Sequence, residues 1–301
     1  MERFEGRTAV VTGAGSGIGL AMAQRFGQEG MHVVLADIVT ERLEASEARL
    51  RDEGLDVHGI ECDVTKLSSV ESLAEATLSR FSGVHVVCNN AAIGPGGQTM
   101  LWESEVNDWR WAIDVNVYGV VWGIKTFVPI MLEHGDEGHV VNTTSTNGGI
   151  APMGDTAIYA ATKAMVVTMT ELLWHQLRSS GSNISASVLF PGPNWLRTNL
   201  WEAWRTRPDE YAKERPRTTP YPTLDGLEHM MSDAGVTIEF TPLEEVAARL
   251  VDGIRADTFW ILPESESTDE TIRKRAASML ERRNPNYFRD WKPSPASEEN
   301  L

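Results

Sequence analysis

The chain has 301 residues, 42% hydrophobic and 23% charged, with 25 Gly and 14 Pro, the composition of a globular protein rather than a disordered or collagen-like one. Its 27 Lys and Arg stand against 43 Asp and Glu, and the formal charge of −16 repels phosphate backbones and anionic lipid, so neither nucleic acid nor a membrane is an expected partner. Two cysteines, Cys62 and Cys88, lie beside apolar runs and the histidines are scattered, so neither a disulfide framework nor a metal site is expected. The first seven residues carry no apolar signal core, and no uninterrupted run approaches the roughly 18 apolar residues of a membrane span, which makes the cytoplasm the expected compartment.

From residue 8 to about 190, short β-rich runs alternate with longer segments of helical period, the pattern of an α/β chain with a parallel sheet wrapped by helices. The expected strands are Thr8–Thr12, His32–Ala36, Val57–Glu61, Val84–Cys88, His139–Thr144 and Ile184–Phe190. Helices are expected near 17–29, 40–53, 66–80, 107–133 and 156–179. After Pro191-Gly192-Pro193 the chain becomes rich in Trp, Arg, Pro and Tyr over 194–240, then returns to a helix at 242–255, a strand at Thr258–Leu262, a helix near 266–283 and a polar tail at 284–301. Because the residues after the insertion complete the core, the expectation is a single domain over 1–301 with an elaborated lid at 194–240.

The first strand runs into Thr12-Gly13-Ala14-Gly15-Ser16-Gly17-Ile18-Gly19 and then directly into a helix. Glycines allow a sharp turn close to a pyrophosphate, and a helix N-terminus presents free N–H groups and a positive dipole end. Gly13, Gly17 and Gly19 fit the spacing TGxxxGxG, with Ser16 and Ile18 between them; a tight strand-to-helix turn is the alternative. Asp37 ends the second strand, where a carboxylate accepts hydrogen bonds from adenosine ribose hydroxyls and repels the extra phosphate of NADP. With no basic residue expected beside it, NAD is favoured over NADP. Asp63 follows the third strand and can meet the adenine through its side chain or through the Val64 backbone. Asn90 and Ala91, in Asn89-Asn90-Ala91-Ala92, fall at the carboxyl edge of the sheet, where cofactors lie.

Tyr159-Ala160-Ala161-Thr162-Lys163 places a phenol and an ammonium on one helix face. A tyrosine acting as base starts from a pKa near ~10, and lowering it by about three units takes roughly 4 kcal/mol at ~1.36 kcal/mol per unit. Lys163 and a positively charged nicotinamide have the required sign. Ser145, at the end of Val141-Asn142-Thr143-Thr144-Ser145, can hydrogen-bond a reacting oxygen. Asn116 in Asp114-Val115-Asn116-Val117-Tyr118-Gly119 is a poor helix former in mid-helix, a cost that holding a water or a backbone carbonyl in a proton relay would explain.

Taken as an ordered set, the glycine turn, Asp37, Asn89-Asn90-Ala91-Ala92, Asn116, Ser145, Tyr159 with Lys163, and Pro191-Gly192 resemble the short-chain dehydrogenase/reductase family in its compact form, over about residues 5–200. The resemblance implies a Rossmann-like, doubly wound parallel sheet of about seven strands with the cofactor over its carboxyl edge. It implies a catalytic tetrad of Asn116, Ser145, Tyr159 and Lys163, cofactor contacts from Pro191, Gly192 and Thr198, and homodimers or homotetramers. Three departures stand out. Ala92 replaces the usual Gly; Ser145 lies 14 residues before Tyr159, one more than the common spacing; and Pro191-Gly192-Pro193-Asn194-Trp195-Leu196-Arg197-Thr198 is longer than the common PGxVxT. Thr146 would restore the common count, but the register of Asn142 favours Ser145.

The expected activity is hydride exchange between NAD and a secondary alcohol or ketone. Trp195, Leu196, Leu200, Trp201, Trp204 and Tyr211, followed by Tyr221, Met230 and Met231, suit a bulky hydrophobic substrate, aryl or steroid-like; the alternative is an oligomer interface or plain cover for the sheet. The insertion and Phe259-Trp260-Ile261-Leu262-Pro263 also resemble family members acting on aromatic secondary alcohols. Two other classes stay open: a non-redox epimerase or dehydratase that keeps NAD bound, and a non-catalytic NAD sensor.

Overall fold

Strands that are apolar on both faces have to be covered on both faces, and the chain supplies helices in alternation to do so. The computed structural model describes residues 1–94, 100–154, 156–215 and 223–288. Its strands are β1 (Thr8–Thr12), β2 (His32–Asp37), β3 (Val57–Glu61), β4 (Val86–Asn89), β5 (Gly138–Thr143), β6 (Ile184–Leu189) and β7 (Trp260–Ile261). They form one seven-stranded sheet in the order β3-β2-β1-β4-β5-β6-β7, and each neighbouring pair is parallel. The order reverses between β1 and β4, and a crevice opens at such a switch point outside the carboxyl ends of the strands.

The helices are α1 (Gly17–Gln28), α2 (Thr40–Asp52), α3 (Leu67–Phe81), α4 (Val106–Ile113), α5 (Gly119–His134), the single turn α6 (Thr146–Gly149), α7 (Ala157–Ser179), α8 (Leu224–Asp233), α9 (Leu243–Arg255) and α10 (Glu266–Leu280). Alternate strand residues feed two apolar layers. Val10, Val34, Val87 and Val140 pack with residues of α3, α4, α5 and α7, while Val11, Leu35, Val86 and Val141 pack with residues of α1, α2 and α9.

The helix expected at 107–133 is divided. Asp114–Tyr118 forms a π-helical turn between α4 and α5, which inserts one residue per turn and swings Asn116 inward; such turns concentrate at functional sites. The continuous helical run Val106–His134 holds an 18-residue window of mean hydropathy 1.4, long and apolar enough to cross a membrane by length and composition, although polar and charged residues interrupt the run. Its Trp111, Val115, Phe127 and Met131 are buried in the core beneath the sheet, which is the reason for that apolarity. The last strand is shorter than Thr258–Leu262, because β7 lies at the edge of the sheet and pairs with the end of β6 on one side.

The insertion closes on itself at its neck: Trp195 N–H donates to the Glu239 carbonyl at 3.1 Å and Thr241 N–H donates to the Trp195 carbonyl at 2.9 Å. Its middle is strapped to α4. Arg207 pairs with Asp108 at 2.6 Å while lying over the Trp111 ring, Lys213 reaches the other Asp108 oxygen at 2.6 Å, and Tyr211 Oη donates to Asp114 at 2.8 Å. Tyr221 and the tail from residue 289 lie outside the described residues.

The Arg207 and Asp108 side chains are only 8% and 5% exposed, so removing one partner strands the other charge away from water. Asp108→Ala should therefore cost about 3 kcal/mol in urea unfolding. Arg205→Ala, which breaks the exposed pair with Glu202, should cost no more than about 1 kcal/mol.

Candidate active site

The glycine turn at the end of β1 is held by contacts that leave no room for a side chain. A Cβ on Gly13, whose φ is +68°, would lie 2.9 Å from Ala91 Cα, and one on Gly19 would lie 2.2 Å from the Gly13 carbonyl oxygen. Thr12, which the sequence reading passed over, is the hub: its hydroxyl donates to the Cys88 carbonyl and accepts from Asn90 N–H at 3.0 Å and Ala91 N–H at 3.1 Å. The Asn90 side chain donates to the Thr12 carbonyl at 3.0 Å and accepts from the Thr143 hydroxyl at 3.2 Å, so it stitches the ends of β1, β4 and β5 together. Thr12 heads the glycine motif, and the signal was present there.

Several features of this turn fit a dinucleotide. The Ser16 side chain does not cap α1, which leaves the first N–H groups of a twelve-residue helix without a side-chain partner at the turn. Ile18 packs into the core beneath it. Asp37 is held at the same turn, its carboxylate accepting from Gly15 N–H and Val39 N–H at 2.9 Å each. Thr198 lies over Gly17, where a Cβ would come within 3.2 Å of its methyl group. Pro191 accepts a hydrogen bond from Arg249, and Gly192 packs against the Asn194 carbonyl at the neck of the insertion.

Asp63 is partly committed elsewhere. It accepts from Thr65 N–H and hydroxyl and pairs with Lys66 at 3.0 Å; burial works to raise its carboxyl, but these partners outweigh burial and hold it below its ordinary value. Val64, beside it, packs against Gly119. Arg42 and Arg49 of α2 line a groove with Gly15, Ser16, Ser46 and Asn199 beside the glycine turn. They lie five and twelve residues past Asp37, in the first and third turns of α2, so adjacency in sequence does not show them at this groove.

On the other side of the switch point, α7 carries Tyr159 and Lys163. The Lys163 ammonium donates to the Thr143 carbonyl at 3.0 Å and sits 5.7 Å from the Tyr159 ring centroid; the Ser145 hydroxyl, which accepts from Asn147 N–H at 3.2 Å, lies near enough to the Tyr159 phenol to favour its ionised form. Burial pushes Tyr159 up to about 12, with the Ser145 hydroxyl pulling the other way, and burial brings Lys163 down to about 8. From its position one turn along the helix, Lys163 is expected to lower the Tyr159 pKa. In the protein by itself desolvation prevails over that influence, because the ammonium is spent on the Thr143 carbonyl and is itself poorly solvated.

Asn116, brought inward by the π turn, uses its side chain on the backbone of Ile93, accepting from N–H at 2.8 Å and donating to the carbonyl at 3.0 Å. It also donates to the Thr162 hydroxyl at 3.1 Å, and Thr162 donates to the Tyr159 carbonyl at 2.8 Å. The chain from the β4 exit to the Tyr159 turn is thus continuous. Among the described residues no group of three or more His, Cys, Asp or Glu gathers as a metal site would.

A family model for short chain dehydrogenases matches residues 7–209. A 1-deoxy-11-beta-hydroxypentalenate dehydrogenase of Streptomyces exfoliatus is 38% identical over 187 residues, 62% of this chain; the match spans 66% of that relative's length, just under two thirds. A C alpha-dehydrogenase of Sphingobium is 29% identical over 266 residues, 88% of this chain and 83% of that protein. Among solved structures, a short chain dehydrogenase/reductase from Burkholderia phymatum in complex with NAD aligns with a TM-score of 0.84 at 35% identity, covering 98% of this chain and 99% of that one.

Two outcomes follow from this geometry. Gly19→Ala, whose Cβ would meet backbone rather than a movable side chain, should lose about 2 kcal/mol of stability and weaken NADH binding in a fluorescence titration. Lys163 has a folded pKa of about 8 against 10.5 for the free group, so the unfolded chain binds the extra proton between those values and stability rises with pH through that window. The stability difference between wild type and Lys163→Met should grow in favour of wild type by up to about 3 kcal/mol from about pH 8 to about pH 10.5.

Proposed function

The chain belongs to the short-chain dehydrogenase/reductase family, an oxidoreductase family, and from that premise we propose that it interconverts a bulky, uncharged secondary alcohol and its ketone with NAD. One observation carries the reading: a buried phenol on α7 faces the end of β5 with the Ser145 hydroxyl near it and a buried ammonium one helical turn away, tied to the Thr143 carbonyl.

When bound, oxidised NAD supplies the hydride acceptor and a positive ring charge close to the phenol. Tyr159 Oη takes the proton of the substrate hydroxyl during oxidation and returns it during reduction. Ser145 Oγ–H donates to the reacting oxygen and holds it against Tyr159. Lys163 contributes positive charge that favours the ionised phenol and a donor for the cofactor ribose. Asn116 keeps Ile93 and α7 in register. Because burial in the protein alone holds Tyr159 protonated near neutral pH, its ionisation is coupled to cofactor binding.

Asp37 at the glycine turn favours ribose hydroxyls over a phosphate, which supports NAD, and the similar Burkholderia enzyme is in complex with NAD. Arg42 and Arg49 act against that preference, so the discrimination against NADP is modest. An uncharged substrate is supported by the described arginines of the insertion, which already face carboxylates: Arg197 with Glu228, Arg205 with Glu202, Arg207 with Asp108 and Arg215 with Glu105. The aromatic residues supply apolar surface, although Trp195 stacks on Trp201 and Tyr211 is buried against α4. Leu132, Met165 and Leu172 stay exposed on α5 and α7 and offer a face for the dimer or tetramer that the family resemblance implies.

The test is a screen of bulky secondary alcohols with NAD+ and NADP+ in parallel, read as NADH or NADPH absorbance. Tyr159→Phe should bind NADH normally while losing about 10²–10⁴-fold in kcat; wild-type turnover in this variant would refute the assignment, and conversion of substrate without free NADH would point to the non-redox class. Asp37→Ala should raise kcat/KM with NADP+ relative to NAD+, and no change in that ratio would remove Asp37 from cofactor choice.

A further inference from the structure

The turn that follows Ser145 is confined between two elements distant in sequence. On one side Gly148, with φ of +97°, lies so close to α7 that a Cβ would come within 2.1 Å of the Ala160 carbonyl, one residue from Tyr159. Inside the turn, Gly149 N–H donates to the Ser145 carbonyl at 3.0 Å and Ile150 N–H donates to the Thr146 carbonyl at 3.1 Å, so any movement of Ile150 is passed to Ser145 within a few bonds. On the other side, the Arg275 guanidinium on α10 donates to the Ile150 carbonyl and lies over the Tyr287 ring at 5.9 Å.

The helix that supplies this arginine does not press tightly on the turn. A cavity lined by Thr146, Ile150, Met153, Thr268, Thr271 and Tyr287 separates them. Four residues separate α10 from the end of β7, and it buries Thr268 and Ser278. A bond that spans a void cannot be replaced by neighbouring packing, and the Arg275 bond is therefore what transmits the position of α10 to the turn.

We propose that Arg275 is a positioning residue for catalysis, holding the turn after Ser145 so that the Ser145 hydroxyl stays beside the Tyr159 phenol. This rests on the proposed role of Ser145. A loosened turn lets the hydroxyl leave the phenol, and the ionised form of Tyr159 loses a neighbour that favours it. The effect is on kcat and on the pH dependence, with little effect on cofactor affinity.

The experiment compares Arg275→Met, which keeps the aliphatic stem, with Arg275→Lys, which keeps a donor, Ser145→Ala and the double variant Ser145→Ala/Arg275→Met. The readouts are kcat, KM and the pH profile on an alcohol found in the NAD+ screen. Arg275→Met should lose about tenfold in kcat, the order expected of a slightly misplaced catalytic group, with NADH affinity unchanged and the ascending limb of the profile moved to higher pH. Arg275→Lys should restore both, and the double variant should be no worse than Ser145→Ala alone. An unchanged kcat and profile in Arg275→Met, or losses that multiply in the double variant, would overturn the proposal. A crippled Ser145→Ala beside an unaffected Arg275→Met sinks this inference alone, whereas wild-type turnover in Ser145→Ala sinks the role of Ser145 and this inference with it. Should Arg275→Met not fold, Tyr287→Leu carries the test: a smaller shift in the same direction supports the proposal, and an unchanged profile overturns it.

Discussion

A single buried ammonium ties the two halves of the site together. Lys163 donates to the carbonyl of Thr143, the last residue of β5, and the Thr144 hydroxyl donates back to the Lys163 carbonyl, so α7 cannot slide along the sheet without leaving a charge unpaired in the interior. Such a loss is costly in a region of low polarity. The register it imposes sets Tyr159 opposite Ser145, since Ser145 follows Thr143 by two residues and Tyr159 precedes Lys163 by one helical turn. The same burial that makes the lock strong also moves both titrating groups toward their neutral forms.

The second tie runs through Asn116. A regular α-helix would carry this residue past Ile93; the π turn widens the helix by one residue and lets the amide meet both backbone groups of Ile93 and the Thr162 hydroxyl. Tyr211 of the insertion bonds Asp114 at the start of that turn, and Arg207 and Lys213 bond Asp108 one turn and a half earlier. The middle of the insertion is therefore part of the scaffold of α4. Arg197, near the neck of the insertion, pairs with Glu228 of α8 and lies over the Phe240 ring.

The sheet and its helices were legible from periodicity, because two-sided burial demands uninterrupted apolar strands and each amphipathic helix shows its face every three or four residues. Ser145, Tyr159 and Lys163 were legible for a related reason: their spacing in sequence is short, and one helix face plus one strand end converts spacing into proximity. The division of the 107–133 helix was not legible, since a π turn is set by what Asn116 meets across the fold rather than by local propensity. Arg42 and Arg49 escaped notice because they reach the glycine turn across α2 rather than along the second strand.

What the amino-acid sequence determined by itself was therefore the local order: which segments are strands or helices, where the glycine turn meets a helix, and which four residues recur in the family's pattern. Tertiary structure alone decided the pairings that span the chain. Arg207 finds Asp108 across 99 residues and Arg275 finds the Ile150 carbonyl across 125, and neither partner carries a sequence mark that points to the other. It also decided the electrostatics of Tyr159, whose direction of shift depends on how much water the folded chain excludes and not on the lysine four residues away.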